Sequence, residues 1–497
     1  MELPDREMCY RALQTRDPRF DGLLFVGVRS TGVYCRPVCP ARTPHFKNCR
    51  FFSSAAAAQG AGFRPCLRCR PETAPDLASW RGTSNTVSRA LALIADGALD
   101  GDRASVANLS ERLGIGERQL RRLFLEHLGA SPIAVAQTRR VLFAKQLIHE
   151  TRMSMTDVAL ASGFGSIRRF NEVFRTLFGR PPSALRRHGS ASSRPADAAV
   201  TLRLRYRRPY DWQSMLAYLQ ARAIPGIEVV EHGSYHRTVE IDGCVGSVRV
   251  DHVPSHDSLG VTIRFSDVRA LPAIVTRVRR LFDTGADIVT IDEHLSRDPL
   301  LAPLVAQRPG LRAPGGWDGF ELAVRAILGQ QVTVTAARQL AGQLVARFGK
   351  PVSDACLDHP GLSRVFPKAG ALAAAGSLGL GMPAAREATL TALAHAAADP
   401  HLFRPFGTIE EAIARFRSIR GVGEWTAQYI ALRALRETDA FPATDVGLLR
   451  GARAIGGIEP GPRSLLSRAE SWRPWRAYAA QHLWAAQTPS TSTRRSA

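Results

Sequence analysis

With 497 residues, 45% of them hydrophobic and 22% charged, the chain is too long for one core and is expected to form two to four ordinary globular domains. No apolar run reaches the roughly 20 residues needed to span a bilayer, and the opening MELPDREMCYRALQTRD is too acidic and polar for a secretory signal, which implies a cytoplasmic protein without a membrane partner. The net charge of +22 attracts polyanions, nucleic acid first; coding bias explains why only four of the 66 basic residues are lysine, but not the excess over acidic residues.

Residues 1–79 are rich in cysteine, proline and aromatics, and six of the eight cysteines lie between positions 9 and 69. In a reducing compartment such a cluster points to metal rather than disulfides. Cys35-x3-Cys39 and Cys66-x2-Cys69, 26 residues apart, are two pairs of the kind that gives tetrahedral zinc four thiolates, one Zn(II) per chain. Cys9 and Cys49 fall outside the pairing and read as buried or free thiols. From spacing alone, a purely structural zinc knot and a reactive thiolate centre remain equally open. The stretch GVRSTGVYCRPVCPAR…AAGFRPCLRCRP, over about 70 residues, resembles the zinc domain of Ada alkylation-response proteins. That resemblance implies that Cys35 accepts a methyl group from a DNA methylphosphotriester, that Cys39, Cys66 and Cys69 complete the zinc shell, and that Thr31, Arg42 and Arg64 contact DNA. The family usually has a basic residue directly after the second cysteine; here it is Pro40.

After a polar stretch at 81–84, residues 85–187 read as all-helical, with two helix-turn-helix patterns joined by an amphipathic helix from Ile133 to Ile148. In the first, Val106, Leu109 and Leu113 line one helix and Gly114 allows the turn. The next helix turns Leu120, Leu123 and Phe124 inward and Arg118, Gln119, Arg121 and Arg122 outward. In the second, Ser166 caps a helix with Ile167, Phe170 and Phe174 inward and Arg168, Arg169, Asn171 and Arg175 outward. Outward Arg, Gln and Asn suit phosphates and major-groove base edges, although a solvated basic face would look the same on any single helix. The segment DVALASGFGSIRRFNEVFRTLFGRPPSALRR resembles AraC-type regulators, whose module follows the zinc domain in Ada proteins.

Residues 188–200 (GSASSRPADAA at their centre) read as a flexible linker, and 488–497 as a disordered tail. Between them, 201–310 mixes alternating stretches with amphipathic helices, and 311–487 is helical. Gly421-Val422-Gly423 forms a turn whose backbone N–H groups can meet a phosphate, though any tight interhelical turn could use the same residues. Asp445, some twenty residues on, is by itself better explained as a helix N-cap than as a catalytic carboxylate. Together, and with RPGLRAPGGWDGFELAVRAILGQQV and WRPWRAYAAQHLW, these stretches resemble the helix-hairpin-helix glycosylases of AlkA type. The resemblance implies an AlkA-like α+β domain followed by an all-α helix-hairpin-helix core, completing a multidomain α+β chain that begins with the small zinc domain and the all-α double helix-turn-helix domain. It further implies Asp445 as the catalytic carboxylate, Trp425, Tyr429 and Trp484 as walls for a flipped alkylated base, Gly421 and Gly423 as phosphate grip, and Gln331 as wedge in the duplex.

Lyase-competent relatives carry a lysine where this chain has Trp425, so a monofunctional glycosylase is expected. No cysteine follows Cys356, so no iron–sulfur cluster is expected, and no Pro-Cys-His-Arg motif points to repair of O6-methylguanine. The expected function is thus bifunctional: methyl acceptance that switches on transcription, and excision of bases such as 3-methyladenine. The implied partners are alkylated and promoter double-stranded DNA and RNA polymerase, with the chain acting as a monomer. Two alternatives are a regulator whose glycosylase-like half is a non-catalytic DNA-binding scaffold, and a zinc-stabilised transcription factor in which Cys35 is only a ligand.

Overall fold

The computed structural model describes residues 3–75, 85–100, 105–186, 199–399, 401–404, 408–457 and 461–486. The expected polar stretch at 81–84, nearly all of the linker and the expected tail lie outside these residues. Two compact units emerge, the first Met1–Arg207 with Val239–Thr276 and Thr284–Ala286, the second Arg208–Thr238 with Arg277–Asp283 and Asp287–Ala497. No helix among the described residues is long and apolar enough to cross a membrane.

The first unit opens with a four-stranded sheet in the order Cys49–Phe52, Phe25–Val28, Val33–Cys35, Arg64–Pro65; the first two pairings are antiparallel and the last is parallel. Gly27 is fixed by sterics, because a Cβ there would lie 2.7 Å from the Phe63 ring and 2.8 Å from the Phe52 ring, which close edge-to-face over the sheet. Cys9 and Cys49 are fully buried in the small core on the sheet's other flank.

The helix-turn-helix pairs follow as Val106–Arg112 with Glu117–Leu128 and Met155–Ala161 with Ile167–Phe178, joined by Pro132–Glu150. Ser105, Ser131, Ser154 and Ser166 each cap a helix by accepting from the backbone N–H three residues on. Phe164, Phe170, Phe174 and Phe178 stack in sequence at centroid spacings of 5.2, 4.8 and 5.4 Å. Ile167, expected inward, is instead 43% exposed; as the first residue of its helix it lies ahead of the Phe170–Phe174–Phe178 stripe that faces the core.

The zinc lobe is anchored to this module within the same unit. Lys145, wholly buried on Pro132–Glu150, donates to Glu72 at 2.6 Å and to the Cys66 carbonyl at 3.0 Å, while Arg70 bridges Glu72 and Glu150 at 3.0 Å each. Ser54 donates to the Leu128 carbonyl at 2.6 Å. Val200–Arg205 and Cys244–Val253 then pair antiparallel with either edge of Ser258–Arg264.

The second unit contains the antiparallel hairpin Glu228–Glu231 and Ser234–Ile241, whose second strand runs on into the first unit, and a helical body. At the centre of that body Gly319–Leu328 is buried on nearly every face, which explains its near-continuous apolar sequence. Its one acidic residue, Glu321, closes a buried network with Arg237 (2.9 Å) and Arg325 (2.6 Å), and Arg325 also pairs with Glu228 at 2.6 Å. Burial alone would raise the Glu321 carboxyl, but the two guanidiniums outweigh it and hold the group ionised.

Candidate metal centre and base-excision cleft

Cys35 ends the strand Val33–Cys35, and the parallel strand Arg64–Pro65 brings Cys66 alongside. The Sγ atoms of Cys35, Cys39, Cys66 and Cys69 all lie within 4.8 Å of one another, and each residue is 6–7% exposed. Four Zn–S bonds of about 2.3 Å in a tetrahedron set the sulfurs about 3.8 Å apart, so the cluster fits one zinc. Two sulfurs already accept backbone hydrogen bonds, Cys69 from Arg36 and Cys66 from Arg68, both at 3.4 Å. The Arg36 side chain, buried, ties the two loops together through Asp21, Thr73 and the Cys69 carbonyl. Thr31 and Arg64 flank the Cys35 strand, where the Arg64 N–H donates to the Gly32 carbonyl; Thr31 and Arg42 are exposed and Arg64 is half-buried.

On the second helix of each pair, Arg118, Gln119, Arg121, Arg122, Arg168 and Arg169 are exposed and Asn171 is half-buried. Arg121 pairs with Glu117 and Arg169 with Glu172 along the helix surface. Exposed pairs of this kind are worth about 0.3–0.5 kcal/mol and yield readily to a phosphate.

In the second unit a cleft of about 1580 Å³ gathers Asp445, Trp425, Tyr429, Trp484, Gln331, Gly421 and Gly423. The turn that holds the two glycines follows a helix closed by the Thr408–Glu411 capping box. Gly421 has φ +83, and a Cβ there would overlap the Thr389 hydroxyl at 1.9 Å. Gln330 clamps this turn, donating to the Gly421 carbonyl (3.2 Å) and Thr426 (3.0 Å). Its neighbour Gln331 is exposed at the rim with φ +56, a strained backbone for a residue other than glycine.

Asp445 is the N-cap of Val446–Ile455, its Oδ1 accepting from the Leu448 N–H at 2.9 Å. It is also the meeting point of both pocket indoles: Trp484 Nε1 donates to Oδ1 and Trp425 Nε1 to Oδ2, each at 2.8 Å. Three N–H donors orient the carboxylate. The Trp425 and Tyr429 rings stack on each other at 5.4 Å and 17°, too close for a base between them.

A family model described as the metal binding domain of Ada matches residues 8–72, a helix-turn-helix domain model matches 109–188, and an AlkA N-terminal domain model matches 201–318. The chain is 43% identical over 484 residues to a probable bifunctional transcriptional activator/DNA repair enzyme AlkA of Mycobacterium tuberculosis, an alignment covering 97% of this chain and 96% of that protein. The chain belongs to this AlkA family of bifunctional activators and repair enzymes. It is also 33% identical to DNA-3-methyladenine glycosylase 2 of Escherichia coli over 56% of this chain and 95% of that protein. A 3-methyladenine DNA-glycosylase from Archaeoglobus fulgidus shares the fold over 58% of this chain and 99% of its own, with a TM-score of 0.51 at 23% identity.

For this family member the structure adds cleft residues that sequence reasoning missed. Arg338, Arg386, Arg420 and Arg450 line the cleft, and Arg338, Arg420 and Arg450 are exposed. Tyr218, Arg222 and Arg433 also line it. Tyr218 and Arg222 arrive one helical turn apart on Trp212–Arg222, far upstream of the hairpin. The signal for Arg433 was a lone arginine inside the apolar run Ala431-Leu-Arg-Ala-Leu435.

Proposed function

We propose that this chain answers DNA alkylation in two ways, excising alkylated bases in its second unit and accepting methyl groups on Cys35 in its first. The observation that carries the first reading is the Asp445 carboxylate, held by two indoles that are themselves walls of the base cleft. A base alkylated at N3 or N7 is cationic and leaves without protonation, so Asp445 need only stabilise the positive charge growing on the sugar and orient the attacking water. The C1′–N bond breaks with its electron pair on the base, which departs neutral, and the water oxygen bonds to C1′ as its surplus proton passes to solvent. Unpairing a damaged base costs a few kcal/mol, less than for an intact pair, which biases extrusion before any chemistry. Trp425 occupies the position where a Schiff-base lysine would stand, which supports a monofunctional enzyme that leaves an intact abasic site.

In the first unit, zinc when bound keeps its four cysteines as thiolates at neutral pH. Cys35 Sγ attacks the methyl carbon of a phosphotriester, and the phosphate oxygen keeps the bonding electrons and regains its negative charge. Cys35 becomes a neutral thioether, so the DNA-facing centre is one negative charge poorer and repels the backbone less. Thr31, Arg42 and Arg64 border this surface. The faces Arg118, Gln119, Arg121, Arg122 and Arg168, Arg169, Asn171 read promoter DNA, and RNA polymerase is the further partner of an activator that works as a cytoplasmic monomer.

The deciding experiment is base release from a methylated duplex by wild type and Asp445→Asn. Removing the charge while keeping the shape is expected to slow excision at least about a hundredfold with DNA binding retained, and borohydride should trap no covalent adduct. Undiminished release by Asp445→Asn overturns the catalytic assignment. For the first unit, intact mass after incubation with phosphotriester DNA should rise by one methyl in wild type and not in Cys35→Ser.

A further inference from the structure

Beside its aromatic residues, the cleft carries polar and positively charged groups on the wall that holds Tyr429 and Trp484. The Tyr218 and Tyr429 hydroxyls lie 3.2 Å apart. Arg222 sits 4.1 Å over the Tyr218 ring, and Arg433 lies 4.8, 5.7 and 5.1 Å from the ring centres of Tyr218, Tyr429 and Trp484. A π-helical turn, Ala431–Leu435, points Arg433 inward. There it is 1% exposed and donates to the Pro314 carbonyl and Gln481 Oε1, while its Nε has no partner among the described residues.

Charge accounting makes this wall unusual. Arg237 and Arg325, which also line the cleft, are balanced by Glu228 and Glu321. Arg222 and Arg433 have no such salt-bridged carboxylate among the described residues: Arg433 donates to two carbonyl oxygens, and Arg222 to the Tyr218 carbonyl and the Tyr429 hydroxyl. Asp445 is bonded to the edge of the Trp484 ring over whose face Arg433 lies. One phenol O–H can donate a hydrogen bond to the other oxygen, which leaves the second O–H free to donate into the cleft. Burial opposes ionisation of both phenols. At Tyr218 the charges of Arg433 and Arg222 outweigh it and hold the group below its ordinary value. Burial and the neighbouring Tyr218 push Tyr429 up to about 12, so Tyr218 is the stronger donor of the pair.

We propose that Tyr218 and Tyr429, polarised by Arg222 and Arg433, donate a hydrogen bond to the departing base and stabilise the negative charge that an uncharged lesion gains as its glycosidic bond breaks. This rests on the glycosylase reading above. A cationic base leaves neutral and gains little from such a donor. An uncharged base leaves with the C1′–N electron pair as a net negative charge, which is where preorganised donors act most. Water supplies the oxygen on C1′; one of its protons stays on the sugar hydroxyl, the other ends on the base, and the phenols finish with their own protons. Arg433 and Arg222 are positioning residues that act through the tyrosines.

The test is single-turnover base release from duplexes that each carry one 7-methylguanine (cationic) or one hypoxanthine (uncharged). Wild type, Tyr218→Phe and the double variant Tyr218→Phe/Tyr429→Phe are compared. The double variant is expected to lose at least about tenfold more rate on hypoxanthine than on 7-methylguanine. Equal losses on both, or a wild type that releases 7-methylguanine but not hypoxanthine, overturn the proposal and leave the glycosylase reading standing. A wild type that releases neither base overturns that reading itself. A second measurement needs no variant: across uncharged purine lesions of graded N–H acidity, the wild-type rate should depend on leaving-base acidity less steeply than uncatalysed hydrolysis does. An equal slope overturns the proposal even if the double variant does not fold.

Discussion

A single carboxylate does two jobs in the second unit. Asp445 caps a helix, as the N-cap reading of the sequence has it, and anchors two indoles, a geometry compatible with the catalytic role proposed for it. Trp484→Phe keeps an aromatic wall but removes one charged hydrogen bond, worth about 1.5–3 kcal/mol. Excision should therefore slow by about ten- to a hundredfold while affinity for abasic DNA holds; an unchanged rate would mean that the indole only packs. His482 gives a pH signature for the same unit. Burial, helped by the Arg308 charge, pushes its imidazole from an ordinary 6.5 down to about 4. The unfolded chain takes up a proton below pH 6.5 that the folded chain refuses until about pH 4. The stabilisation is thus complete above 6.5 and lost as the pH falls to 4, about 3 kcal/mol in all. Unfolding free energies of wild type and His482→Gln across that window should converge or diverge by that amount, and a constant difference would refute it. The cysteines, the hairpin and Asp445 were legible because each belongs to a local motif with its own spacing. Tyr218, Arg222 and Arg433 were not, because what unites them is a cleft assembled from segments some 200 residues apart in sequence.

At the scale of elements, the helix Pro132–Glu150 does more than join two helix-turn-helix pairs. Its amphipathic pattern announced a linker helix, and its caps and length are close to the expected bounds. What the pattern concealed is that a lysine at a buried position would pair with Glu72 beside the metal loop, since a buried ion pair has no periodic signature. Two charges removed from water contribute little net stability together, but stranding one of them is costly. Lys145→Met should destabilise the first unit by about 3 kcal/mol, with Arg70 left as the partner of Glu72. Adding Glu72→Gln should recover much of that loss. Chemical denaturation of the single and double variants measures both, and additive losses would show that the two side chains do not depend on each other. The helix Ile167–Phe178 also shows the limit of inward and outward assignment by periodicity: Phe170 and Phe174 are buried as expected, whereas Ile167 opens its helix exposed.

For the whole molecule, composition sets a simple expectation: a chain with 66 basic and 44 acidic residues binds DNA with a steep salt dependence. More telling is where each chemistry resides. Every residue of the metal centre falls in the first compact unit and every residue of the excision cleft in the second. Structural zinc contributes on the order of 10 kcal/mol of apparent folding free energy in small domains, so its removal should unmake the Cys35–Cys69 lobe and abolish methyl acceptance. The excision cleft has no stake in that metal. Six of the seven tryptophans (212, 317, 425, 472, 475 and 484) lie in the second unit, so tryptophan emission reports mainly on it. Treating the chain with a strong chelator should release one zinc and end methyl transfer from phosphotriester DNA. Base release from methylated duplex should stay within about twofold, because the donors that hold Asp445 are covalently independent of the lost lobe, and emission should barely shift. A fall in excision that tracks zinc release would show instead that the second unit depends on the first for its working geometry.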